Sequence, residues 1–352
     1  MDTQDIKKGI HKKQKNNTSI ILIMLALLII LIPFSAAAGA VAIPPSQLIQ
    51  MLLNQIPFLD LVFDDSWLLS HEQIFFQIRL PRVIMALLVG FSLALAGTTL
   101  QGVLQNPLAD PYLVGLSSGS ALGASIAILL RRQIALFGYG SIPIFAFLGG
   151  LFSLFIVYII AKRGGKVSTA NLILAGVAVS AFFSAVVSLI IVFQGERMGE
   201  IIFWLMGGLA NASWRYVFAI IPYILIGSTI IFLYARPINI LGLGDSSAHH
   251  LGLEVESVRK LLLACASLIT AASVSVTGLI GFVGLIVPHM LRRIIGPDHR
   301  LLLLASGIGG AVLLLLADTM ARTALSPREI PVGIITALMG APYFVYLLKR
   351  TT

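Results

Sequence analysis

Few residues in this chain are of a type that could do chemistry, and their spacing excludes most reactions. The six histidines are His11, His71, His249, His250, His289 and His299. None stands with carboxylates at metal-ligand spacing, and the adjacent pair His249-His250 cannot aim at one ion from a helix. The single cysteine, Cys265, lies in the apolar run LLLACASL. A disulfide within the chain and a thiolate metal site are therefore excluded, and a small buried hydrophobe is expected. The sequence GGKVST (164–169) hints at a phosphate loop, but that loop needs Gly-x4-Gly-Lys-Ser/Thr. Ile160 stands where its first glycine belongs and Val167 where its hydroxyl belongs. With no triad, acid pair or metal cluster in view, we expect no catalytic residue, no metal and no cofactor.

One acidic residue sits inside an apolar stretch. Asp318, in LLLLADTMAR, is the only acidic candidate within a confident apolar segment, and an intramembrane carboxylate is the usual mark of ion-coupled transport. Arg322 follows four residues later, so an i,i+4 ion pair near a helix end is the structural expectation. A proton-driven transporter needs more intramembrane polar groups than this. Energy is expected from a partner.

The elements that must position these residues follow from composition. The chain has 352 residues, 58% hydrophobic and 11% charged, with a mean hydropathy of +0.97. So little charge cannot cover a soluble core of this size, whereas apolar stretches near 20 residues cross about 30 Å of hydrocarbon. The expectation is an all-α polytopic membrane protein with about ten spans, near 19–42, 80–104, 112–130, 142–161, 170–194, 214–235, 259–276, 278–294, 301–321 and 330–348. Residues 1–18 form a basic tail, and 19–350 a single transmembrane domain. The tail and the first apolar run resemble a signal peptide, but the run continues to about Ile43 and is expected to remain as the first span. Residues 44–78 are amphipathic, acidic near Asp60, Asp64 and Asp65, and expected outside the cell; 200–209 is too short to cross. With the N-terminus inside, sixteen of the 24 basic residues, every Lys among them, fall on one face, so both termini are expected in the cytoplasm.

Two stretches are too patterned to be plain connections. Residues 103–123, VLQNPLADPYLVGLSSGSALG, carry two prolines that stop one helix and start the next. Their Gly115–Gly123 run can either pack a helix closely or line a pathway. Residues 236–260, RPINILGLGDSSAHHLGLEVESVRK, hold an N-cap cluster at Asp245-Ser246-Ser247 and then a short amphipathic helix ending at Gly252. A surface helix resting on the membrane and a docking element for a cytoplasmic motor both fit that pattern.

Longer motifs occur together and in order: RLPR (79–82), the 103–123 stretch, FWLMGGL (203–209), LGLGDSSAHHLGL (241–253), GFVGLIVPHMLRRIIGPDHR (281–300), LLADTMAR (315–322) and EIPVGIITALMGAPYFVYLLKR (329–350). In this the chain resembles the permeases of type II ABC importers for iron-siderophores, haem and vitamin B12, over about residues 75–350. The resemblance implies a ten-helix permease of the bacterial cytoplasmic membrane, paired with a second copy or a paralogue. Two ATP-binding subunits would dock on the inner side and a substrate-binding protein on the outer side. It implies that Arg79, Arg82 and Arg322 meet acidic residues of the binding protein, and the charge rule independently places all three outside. It implies cytoplasmic gates at Asn106 and Leu108 and at Ser168 and Thr169. It turns 237–258 into coupling helices, with Asp245, Ser246, Ala248, His249, Leu251, Gly252 and Leu253 against the ATPase. An iron(III)-siderophore is the expected cargo, with vitamin B12 or haem as the alternative, and no nucleic-acid partner is implied.

Overall fold

The computed structural model describes residues 3–39, 41–55, 67–130, 140–164, 166–193, 195 and 197–351. Asp60, Asp64 and Asp65, the acidic residues of 44–78 named above, lie outside them. Among the described residues the chain is helical apart from one small hairpin. Helix α1 (Thr3–Ala37) is followed by the short α2 (Pro45–Asn54), whose first residue is the proline that a helix start tolerates. Then α3 (Leu69–Gln73) runs through a π-helical turn, Ile74–Arg79, straight into α4 (Leu80–Val103). Next come α5 (Leu116–Leu130), α6 (Ser141–Ala161), a two-stranded hairpin of β1 (Lys162–Arg163) and β2 (Lys166–Val167), and α7 (Thr169–Phe193). The second half holds α8 (Met198–Leu205), α9 (Trp214–Leu233), α10 (Ala235–Leu241), α11 (Asp245–His250), α12 (Val255–Thr277), α13 (Val283–Ile295), α14 (His299–Thr323) and α15 (Val332–Thr351).

Seven of these helices, among the described residues, are long and apolar enough to cross a membrane. The other three expected spans correspond to α5, α13 and α15. Helix α13 departs most from expectation. It has 13 residues, about 20 Å of helix, and so cannot cross alone. Its approach, 278–282, is irregular backbone that turns through positive φ at Gly278 (69°) and Phe282 (68°). Irregular backbone at membrane depth survives only where protein satisfies its polar groups. Here the Tyr112 hydroxyl donates to the Ile280 carbonyl at 2.6 Å and accepts from the Ile280 N–H at 2.9 Å. Gly208 N–H donates to the Thr277 carbonyl and Gly333 N–H to Gly207, so the 204–209, 277–282 and 331–333 segments satisfy one another.

Helix α4 is the centre, buried along most of its length and packed against α14, α12, α13 and α9. Close approach depends on absent side chains: a Cβ at Gly90 would strike the Gly310 carbonyl of α14, and one at Gly97 the Gly284 carbonyl of α13. The Gly115–Gly123 run does the same work for α5. Added Cβ atoms at Gly119 and Gly123 would meet the carbonyls of Gly149 and Phe145 on α6, so these two glycines serve helix packing. The hairpin explains GGKVST: Gly164 turns it at φ +57° with nothing packed on it, a turn rather than a phosphate cradle. We expect Gly119→Val to destabilise the protein by about 1–3 kcal/mol through overpacking. Gly199→Ala, on α8 with open space around it, should be neutral or better in the same thermal unfolding series.

Candidate functional site

The 24 residues of α4 separate two polar clusters, about 36 Å apart along the helix. At its C-terminal end the chain breaks out at Gln105, in left-handed conformation at φ 51°. The Asn106 side-chain oxygen then accepts from the Leu108 N–H at 2.9 Å, a local turn that leaves Leu108 exposed. Asp110 caps the short 3-10 turn Pro111–Val114 by accepting from Tyr112 N–H at 2.8 Å. Burial pushes the Asp110 carboxyl up to about 6. Ser168 stands at the start of α7 with its hydroxyl accepting from Asn171 N–H at 3.2 Å. Thr169 reaches across and donates to the Leu104 carbonyl at 3.3 Å. The two segments expected to form gates are thus tied together within one chain.

The same end carries α10 and α11 outside the main bundle. Asp245 is not the cap expected of it. Gly244, at φ +98°, precedes the helix, and the Asp245 carboxylate instead accepts from Arg259 of α12 at 2.7 Å. A charge-assisted bond to a buried guanidinium is a stronger attraction than a cap to a six-residue helix. Ala248 is also not a surface residue: it is 0% exposed within the core. Its carbonyl accepts from Leu253 N–H, closing the helix at Gly252 with φ +82°. Ser246 and His249 face outward, and Leu243 and Leu251 are each 63% exposed. Gln105 donates to the Leu241 carbonyl, joining the turn after α4 to α10.

At the other end of α4 the structure brings Arg79, Arg82 and Arg322 together but turns them inward. Arg82 binds Asp318 through Nε and Nη2, the latter at 2.9 Å, and Glu329 through Nη1 at 2.9 Å. Arg79 donates to the carbonyls of Ala36, Ala37 and Val41. Arg322 donates to the Ser35 carbonyl and hydroxyl and to the Ala38 carbonyl. The i,i+4 pair is present, with Arg322 Nε 3.4 Å from Asp318 Oδ2 but without hydrogen-bond geometry. Arg82, 236 residues away in sequence, is the better partner of Asp318. The end of α1 is therefore held in place by the guanidinium groups that the resemblance assigns to an outside partner.

Comparison with known proteins shows the family of the chain. A sequence model of the FecCD transport family matches residues 27–350. The chain belongs to the FecCD transport family. It is 48% identical over 272 residues, 77% of this chain and 72% of its relative, to the cobalamin import system permease protein of Halobacterium salinarum. The hemin transport system permease protein of Yersinia pestis is 41% identical over 298 residues, covering 83% of this chain and 89% of that protein. The iron(3+)-hydroxamate import permease of Bacillus subtilis is 37% identical over 320 residues, 89% of this chain and 91% of that one. Among solved structures, an inward-facing transporter described as metal-chelate type superposes with a TM-score of 0.81 at 33% identity, covering 95% of this chain and 99% of that chain.

In this FecCD permease three residues that tie distant segments together carry no signal of that role in the sequence. Arg259 is one of several charges in the 236–260 stretch, with Glu256 three residues before it as the one local hint of a pair. Tyr112 entered only as part of a turn, and no sequence pattern pointed its hydroxyl at Ile280. Glu329 was quoted in a motif without a partner. The arginine cluster has a measurable consequence. Asp318 is 0% exposed and faces two guanidinium groups, so Asp318→Asn leaves buried positive charge uncompensated and should cost about 3–5 kcal/mol. Thermal unfolding of the purified permease in detergent, with exposed Glu329→Gln expected to cost far less, checks it.

Proposed function

We propose that this ABC importer permease carries an iron(III)-siderophore or similar metal chelate across the cytoplasmic membrane, with ATP hydrolysed by a separate subunit. The observation that carries the reading is the α10–α11 segment: its inner face is locked into the bundle while Leu243 and Leu251 stand 63% exposed beside Ser246 and His249. An exposed apolar pair on a polar projection is the form of a partner contact rather than of a lipid-facing span. In this reading two ATP-binding subunits dock there. Both termini lie on that cytoplasmic side, and Asn106, Leu108, Ser168 and Thr169 gate the exit between this chain and a second permease copy or paralogue. Closure of the ATPase pair shifts the coupling segment and switches the gate by alternating access.

A substrate-binding protein would engage the opposite end through Arg79, Arg82 and Arg322. Because these arginines are spent on the end of α1, Asp318 and Glu329, engagement requires residues 35–41 or Glu329 to release them. Carboxylates of a partner would replace carbonyl and carboxylate acceptors already present, an exchange rather than a new charge burial. The proton-coupled alternative is weakened because Asp318, its only carboxylate, serves as counterion to Arg82 and Arg322.

The cargo class rests on relatives that import chelated metal. Vitamin B12 is the specific alternative, favoured by the 48% identity to an archaeal cobalamin permease, and haem is a third. Titrating the cognate binding protein with ferric hydroxamate, haemin and cobalamin by calorimetry separates them; tight binding of cobalamin alone would overturn the siderophore reading. For the permease itself, Leu251→Asp should weaken ATPase assembly at least about tenfold, the loss expected for a buried interface anchor. Undiminished co-purification with the ATPase would remove α11 from the docking surface.

A further inference from the structure

Arg259 is 5% exposed in the first turns of α12, and one guanidinium there grips three segments. Nη2 donates to Asp245 of α11 at 2.7 Å, and Nη1 donates to Glu256 at 3.2 Å and to the Val167 carbonyl at 3.4 Å. Val167 ends the hairpin, and its N–H in turn donates to Glu256 at 3.4 Å. Both backbone polar groups of Val167 are therefore committed to the Glu256/Arg259 pair. Two residues later, Thr169 hands the connection to Leu104 at the end of α4, and Gln105 returns it to Leu241 of α10. Among the described residues, α11 and the hairpin share no direct hydrogen bond. Their shortest polar connection runs through Arg259.

We infer that Arg259 is the positioning residue that makes α11 and the gate hairpin move as one body. The inference rests on the coupling role proposed above for α11. Three features favour it over a plain stabilising ion pair. The fork of Arg can hold a carboxylate and a carbonyl in fixed relation, which a point charge cannot. The contact is shortest at Asp245, so a displacement of α11 is felt first at the guanidinium. Val167 and Ala248 also lie in the same apolar cluster, so both segments are anchored in one core.

The test uses full-length permease in nanodiscs, with Cys265→Ala removing the only native thiol. Spin labels placed through Ser247→Cys on α11 and Ala170→Cys at the start of α7, both exposed, report one intramolecular distance when labelled chains are diluted with unlabelled ones. With Arg259 present the distance distribution should be narrow. Arg259→Met, which keeps the apolar stem, should broaden it at least twofold, and Arg259→Lys should fall between. Asp245→Asn, at a side chain 57% exposed, should broaden it as well. Distributions of unchanged width in both Arg259→Met and Asp245→Asn overturn the inference. In the assembly with its ATPase, a bimane on residue 170 should respond to ATP. Per ATP hydrolysed, that response should fall about tenfold in Arg259→Met, within the usual range of coupling between sites. A lowered melting temperature with an unchanged bimane response per ATP would make Arg259 merely structural and overturn the inference. If the wild-type permease fails to bind the ATPase at α11, the coupling reading itself falls, while the spin-label widths still decide whether Arg259 joins the two segments.

Discussion

Lipid offers no hydrogen bonds, and the backbone polar groups of this chain inside the bilayer have to be satisfied by the chain itself. That constraint makes the protein helical, but it also governs its exceptions. Where α12 stops at Thr277 and the chain turns before α13, the freed backbone is bound by the Tyr112 hydroxyl and by Gly208 N–H, while the neighbouring Gly207 carbonyl accepts from Gly333 at the start of α15. A short helix such as α13 is affordable in a membrane only because three separate irregular segments meet and pair. Hydroxyls on the long helices follow the same logic: Thr98, Thr99, Thr270 and Ser273 each donate to the carbonyl four residues earlier, so they are buried without a partner from elsewhere.

The second consequence concerns charge. Among the described residues, the buried guanidinium groups of Arg79, Arg82, Arg322 and Arg259 lie at the two ends of the bundle and are matched by carboxylates or carbonyls, most of them from distant segments. At one end Arg82, Arg322 and Asp318 join α4 to α14, and Arg79 holds the end of α1. At the other end Arg259 joins α11, α12 and the hairpin. Burying such groups costs several kcal/mol unless they are paired, so each cluster ties the elements around it into one unit. The rods between them are packed glycine to backbone and have little room to deform.

The helical, membrane-spanning character of the chain was legible from composition, since 11% charge leaves no alternative way to cover it. The segments expected at 80–104, 142–161, 170–194 and 214–235 match α4, α6, α7 and α9 within a few residues, because apolar length and the prolines and glycines at their ends are local properties. The eighth segment, expected from 278, becomes helical only at Val283, because hydropathy counts apolar residues without asking whether they are helical. Gly278 and Phe282 break the helix through backbone geometry that an apolar average does not register. Asp245 was misassigned as a cap for a related reason. An acidic residue at a helix start has a local use, and only proximity to Arg259, fourteen residues on, reveals a stronger one.

What the sequence by itself determined is the class of protein, the approximate spans, the family motifs and the small-residue faces, all of which depend on neighbours within one or two helical turns. What the tertiary structure decided is which polar groups meet. Asp318 lies four residues from Arg322 yet binds Arg82 more closely, and Tyr112 satisfies Ile280 from 168 residues away. The Gly119 and Gly123 faces turned out to pack on α6 because carbonyls of α6 occupy the space a side chain would need. Pairings of this kind follow from the crossing of helices in three dimensions. Each is chosen by the cost of leaving a buried donor or acceptor unmatched, a quantity that does not exist until the helices are packed.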